Sequence, residues 1–143
     1  MLRKSKNERG ATLVEFAIGA TVFVMSLFAV LEFGRALWVH NALTDAARRG
    51  ARYAVLHSIN SDTSVTNVVV YGDPTGGTKP IVPDLNTGNV EVTYSSDFVV
   101  NQGTATVKIT NYQFQFVLPF LPSSITMPSY STTLTAESAG FIP

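Results

Sequence analysis

Arg9-Gly10-Ala11-Thr12-Leu13-Val14-Glu15-Phe16 heads a run that carries no further charge until Glu32. Upstream of it, Arg3, Lys4, Lys6 and Arg9 stand against a single Glu8. An ordinary secretory signal places its small-residue cleavage site after the apolar stretch, so that the stretch is lost. Here the only leader-like break comes first, and a cut after Gly10 would leave the apolar helix on the mature chain. Segment 11–31 reaches about 31 Å as helix, close to the roughly 30 Å of a bilayer's hydrocarbon core. Thr12, Thr21 and Ser26 are its only mild polar breaks besides Glu15. The core helix of a soluble protein would show a polar face over this length. The reading is therefore a single membrane pass, with the basic leader favouring a cytoplasmic N-terminus.

Glu15 needs a reason to sit near hydrocarbon, where a carboxylate costs about 2.5–3.5 kcal/mol at mid-membrane and less near an end. It can snorkel to the interface. Alternatively, cleavage after Gly10 creates an ammonium at Ala11, and the Glu15 of an adjacent subunit can pair with it. Any other stagger would leave a charge unpaired in lipid, so the pair would set axial register.

Composition bounds the rest. The 143 residues carry ten basic and ten acidic side chains, but the balance is uneven along the chain. From Tyr53 onward two lysines face six carboxylates, a net of −4, which does not point to nucleic acid as a partner. Cysteine is absent, which excludes a disulfide framework and thiolate chemistry. His40 and His57 are the only histidines and have no carboxylate cluster beside them. No metal, cofactor or catalytic constellation is expected, and the chain reads as a non-enzyme.

Gly10-Ala11-Thr12-Leu13-Val14-Glu15-Phe16 resembles the processing site of prepilins: glycine, four residues, glutamate, then an aromatic. With Glu32-Phe33-Gly34-Arg35 and the run Ala46-Ala47-Arg48-Arg49-Gly50-Ala51-Arg52-Tyr53-Ala54, it is similar to the TadE-like pseudopilins of the tight-adherence (Tad, or Flp) pilus system. The likeness covers about a third of the chain. Arg49 stands where family members commonly carry an acidic residue, and Ile18-Gly19-Ala20-Thr21 lacks a proline that many have. The resemblance implies a leader at 1–10 cut by a prepilin peptidase between Gly10 and Ala11. Glu15 and Phe16 would complete the processing and assembly motif, and Arg48, Gly50, Ala51 and Arg52 would form the family motif on the helix. It further implies placement in a bacterial inner membrane with the C-terminal domain outside the cytoplasm. The implied partners are the peptidase, other pilin or pseudopilin subunits, the Tad inner-membrane assembly platform and the lipid bilayer. The implied role is pilus assembly or a minor pilus subunit, in adhesion and surface colonisation. A minor pseudopilin of a type II secretion or other type IV pilus machine, and a signal-anchored exported binding module, are the alternatives.

Beyond the membrane, Phe33, Leu37, His40, Leu43, Ala47, Gly50 or Ala51, and Ala54 recur at spacings of three and four, marking an amphipathic helix over 32–57. The simplest reading is one helix from 11 to 57, roughly 70 Å long, with Gly34 and Gly50 as weak points and Gly34 the place where a break could fall. Glu32 with Arg35, and Asp45 with Arg48 and Arg49, are placed to pair along its surface, each pair worth about 0.2–0.5 kcal/mol. Arg48 to Arg52 reads as a solvated or subunit-facing surface.

Segment 58–143 reads as a small β-rich domain. Residues 65–71, rich in valine, are assigned to the β-rich part and closed by the turn cluster Gly72-Asp73-Pro74-Thr75-Gly76-Gly77. Alternation marks strands at 89–94, 104–112, 113–118 and 129–136, with 80–88 and 119–128 as loops. Phe114 and Phe116 are expected in the core, while Phe120 and Leu121 fit either a core or a sticky loop. The predicted fold is α+β and pilin-like: a long N-terminal transmembrane helix extending into a small antiparallel sheet. The sheet should pack on Leu43, Ala47, Ala51 and Ala54, whose small side chains allow close approach.

Overall fold

A computed structural model describes residues 5–57, 61–98, 102–118 and 123–136, with side chains from Gly10 onward. Helix α1, Ser5–Leu56, runs for 52 residues, about 78 Å at 1.5 Å per residue. No proline occurs before Pro74, so nothing in α1 removes a backbone donor. The helix continues through Gly34 without a break, as in the simplest reading of the sequence. A glycine costs at most about 1 kcal/mol relative to alanine there, and the contacts made by Glu32 and Arg35 brace that turn.

Only the C-terminal part of α1 is covered. Glu32 is buried, and from Val39 a stripe of Leu43, Ala46, Ala47, Gly50, Ala51, Ala54 and Val55 lies under the domain. The expected stripe was right in its upper half and displaced in its lower half, because Phe33 and Leu37 remain exposed. From residue 10 to residue 31 the helix is bare. Its hydroxyls are satisfied internally, Thr21 Oγ1 donating to the Ala17 carbonyl and Ser26 Oγ to the Val22 carbonyl, each at 2.8 Å. Such back-bonding hides a polar group where no water is available.

Residues 65–71 are helical, and this corrects their assignment to the β-rich part. Helix α2, Asp62–Tyr71, buries Val65, Val68, Val69 and Val70. Valine favours strands in general, but a helical face in contact with a partner overrides that weak preference. Val65, Val68 and Val69 are spaced by three and one, which suits a helix face. Asp62 lies in the first turn, and Gly72 closes the helix at φ 77°, its N–H reaching the Val68 carbonyl at 3.0 Å. That left-handed position suits glycine.

Three antiparallel strands form the main sheet in the order β1-β2-β5: β1, Val90–Tyr94; β2, Thr104–Ile109; β5, Tyr130–Thr135. Central β2 turns Ala105, Val107 and Ile109 inward onto α1 and α2. Val107 is the register partner of Val92 on one side and Thr132 on the other. On the outer face Lys108 stands opposite Glu91, and the Thr106 and Thr133 hydroxyls meet at 2.7 Å. A separate hairpin pairs β3, Gln113–Gln115, with β4, Ser124–Thr126. Strand β4 corrects the loop assigned to 119–128. The flanking prolines hid it, since proline cannot donate to a ladder but tolerates strand ends. Phe120 and Leu121 lie outside the described residues.

The loop at 80–88 is pinned rather than loose. Val82 and Leu85 are fully buried, and Tyr112 Oη donates to the Pro83 carbonyl at 2.7 Å. Burial pushes the Tyr112 phenol above its ordinary pKa. Asn86 and Asn89 form a reciprocal capping box on the short 3-10 turn Thr87–Asn89. Asp73 Oδ1 accepts from the Thr75 N–H at 2.8 Å and from its hydroxyl, a local turn bond that holds the carboxyl below the usual range. This matches the expected turn role of Asp73.

Candidate membrane and assembly interface

Three groups of residues along α1 make up the candidate site. The first is the leader motif. Gly10, Ala11, Glu15 and Phe16 all lie on the exposed helix, with Phe16 74% accessible. Ala11 and Glu15 are four apart and so share a face. A β-carbon at Gly10 would meet nothing within 4 Å, so no packing among the described residues requires glycine there.

The second group is a clasp where the bare and covered parts of α1 meet. Glu32 Oε1 accepts from Arg35 Nη2 at 2.5 Å and from the Val117 backbone N–H at 3.1 Å. Arg35 Nη2 also donates to the Gln115 carbonyl, and its guanidinium carbon lies 4.3 Å from the centre of the Phe114 ring. Phe116 meets Phe114 edge to face at 5.2 Å. The Glu32–Arg35 pair is therefore not a free surface pair, as its spacing suggested. It fastens the end of β3 to the helix across more than eighty residues of sequence. Helical spacing reveals the pairing but not the third partner, which comes from a distant strand. The usable signal was position: Glu32 is the first charge after the uncharged run.

Glu32→Ala leaves the Val117 N–H without its acceptor and the Arg35 guanidinium with the Gln115 carbonyl but no carboxylate. Losing a partner of this kind costs about 1–3 kcal/mol. Amide hydrogen exchange across 113–117 should accelerate by roughly tenfold, the equivalent of about 1.4 kcal/mol. Unchanged exchange in that peptide would show that the clasp does not hold the hairpin.

The third group is the arginine run. Gly50 and Ala51 face inward, whereas Arg48 and Arg52 face out. A β-carbon on Gly50 would overlap Val69 Cγ2 and stand 3.3 Å from Val107 Cγ1. Gly50 thus leaves room for Val69 of α2 and Val107 of β2 against α1. Arg49 pairs with Asp45 at 3.3 Å, while its Nε and Nη2 are buried without a hydrogen-bond partner. Arg48, Arg49 and Arg52 border a cleft of about 350 Å³ closed by Thr132 and Leu134 of β5. His40 Nδ1 contacts the Tyr130 hydroxyl at 3.0 Å, and His57 Nδ1 contacts the Tyr53 carbonyl at 2.8 Å.

A larger groove of about 870 Å³ runs down α1 from the clasp, with Val24, Phe28 and Leu31 on the helix side and Val117 and Leu118 on the hairpin side. Within Gly10–Leu56 an 18-residue window is long and apolar enough to cross a membrane, and none of it is buried against the chain.

These features define a class, an α+β protein whose small sheet domain rides on one long helix with a candidate membrane span. A family model described as TadE-like protein matches residues 10–52. Over those 43 of its 143 residues the chain is similar to the TadE-like family. No curated protein and no solved structure matches the chain.

Proposed function

We propose that this chain is a non-catalytic, pseudopilin-type subunit of a Tad/Flp pilus system, retained in the membrane by α1 after a prepilin peptidase cuts between Gly10 and Ala11. The observation that carries this reading is the extent of the TadE-like match, which begins at Gly10 and runs through the bare helix to Arg52. A leader that was merely discarded, or an anchor of arbitrary sequence, would not link that glycine to the arginine run above it.

In this reading each part has a separate task. Gly10 gives the peptidase access to the scissile backbone, and as glycine it also lowers the cost of unwinding the helix there by about 1 kcal/mol relative to alanine. The new ammonium at Ala11 pairs with Glu15 of a neighbouring subunit, setting stagger in the membrane. Arg48 and Arg52 offer cations outside the membrane to another subunit. The sheet domain faces the periplasm or the cell exterior, and the assembly serves adhesion.

The test is the N-terminal sequence of protein extracted from membranes, with and without the cognate peptidase. Ala11 as first residue only when the peptidase is present is the expected result. An intact Met1 terminus in both strains would refute processing, and loss of the whole apolar segment would refute retention of the helix.

A further inference from the structure

Val117 is the most exposed large hydrophobic side chain among the described residues, at 77%, and it lies outside the bare helix. It lies two residues beyond β3, and its own N–H is held by Glu32 at 3.1 Å. Glu32 directly follows the uncharged run. If 11–31 crosses the roughly 30 Å of hydrocarbon, Glu32 stands at the outer boundary, and the clasp fixes Val117 at the same height. Leu118 lines the same groove as Phe28 and Leu31, so Val117, Leu118 and the top of the span border one continuous apolar space. In water such a space is costly, because apolar surface there has no compensating partner. Beside lipid it is an extension of the surface that the span already presents.

The polar groups fall at the levels that this placement requires. The Glu32–Arg35 ion pair sits at headgroup height, where charges stay solvated. Trp38, 53% exposed, lies six residues further along, about 9 Å higher, within reach of the interfacial zone where tryptophan is enriched.

We propose that the Val117–Leu118 segment is a second membrane contact, docked into outer-leaflet lipid beside α1, so that the sheet domain rests on the bilayer surface rather than standing off it. The contact rests on the reading of α1 as a membrane anchor. Two points of attachment, helix and hairpin, would fix the tilt of the domain relative to the membrane plane.

The chain has no cysteine, so single labels are clean. Val117→Cys, Leu27→Cys and Leu56→Cys are each labelled with an environment-sensitive fluorophore, with one full-length copy per lipid nanodisc in excess phospholipid. Leu27 reports the anchor, and Leu56 lies about 36 Å beyond Glu32 along the helix. The expected result is blue-shifted emission at Val117 that is quenched by lipids carrying a shallow nitroxide, with Leu27 quenched by a deep nitroxide and Leu56 by neither. A water-like, unquenched Val117 beside a quenched Leu27 overturns the contact and leaves the anchor standing. A blue-shifted Val117 that lipid nitroxides do not reach also overturns it, and indicates protein, such as a second copy, in the groove. An unquenched Leu27 removes the anchor reading itself, and the contact with it.

Discussion

Replacing Phe114 with alanine is expected to lower the unfolding free energy by about 3–5 kcal/mol, the range for deleting a large aromatic from a packed core. Phe114 is fully buried although it belongs to a strand of only three residues. Its flanking Gln113 and Gln115 are exposed, so this one ring supplies most of the apolar grip of β3 on the helix. The Arg35 guanidinium lies over it, adding a cation–π attraction of about 0.5–1 kcal/mol at a partly exposed site. Removal therefore opens a cavity and weakens the Arg35 side of the clasp together. Urea unfolding of the full-length protein in a mild detergent gives the measurement. The midpoint should fall while the slope stays constant, as for a change in stability without a change in exposed surface. A loss below about 1 kcal/mol, at the low end for any buried deletion, would mean that the hairpin is not docked as described. Phe114→Leu, which keeps most of the volume, should recover much of the loss.

The second large effect is expected at Gly50. Gly50→Leu forces a branched side chain between Val69 and Val107, both fully buried. Overpacking of this kind costs about 1–3 kcal/mol and occasionally more, and the upper end applies because a β-carbon alone already overlaps Val69. The neighbours cannot easily yield. Val69 is β-branched and stiff about χ1, and Val107 is held in the central strand between two register partners. Gly34→Ala is the matched control on the same helix. Nothing lies within 4 Å of a β-carbon there, so the substitution should stabilise α1 by up to about 1 kcal/mol through helix propensity alone. Equal stability of Gly50→Leu and the parent would mean that α2 does not cross α1 at this point.

The contrast between these glycines shows what the sequence could disclose. Both stand in helical surroundings, and spacing alone assigns both to one long helix. Only a contact from a distant element separates the one that packs from the one that does not. The small-residue stripe at Ala47, Ala51 and Ala54 was legible because close approach needs small side chains wherever the partner comes from. The alternation at 90–94 and 104–109 was legible because one face of a sheet is buried. Helix α2 was not, since its valines suit a strand equally well and only contact with α1 decides between the two. Strand β4 was hidden by its prolines, and the clasp by the distance in sequence between Glu32 and Val117. The leader motif lies at the other extreme. Its residues carry their meaning in linear order, and the fold adds to it only that they are exposed on a helix.

The absence of a break in α1 ties sequence length to compass bearing. Each helical residue advances by about 100° around the axis, so the 33 steps from Glu15 to Arg48 fix the angle between those two side chains at roughly 60° after whole turns. A single inserted residue between them would swing the domain by about 100° while lifting it by only about 1.5 Å. Because the shaft is unjointed, whatever sets the bearing of Glu15 also sets the direction in which each flank of the domain faces.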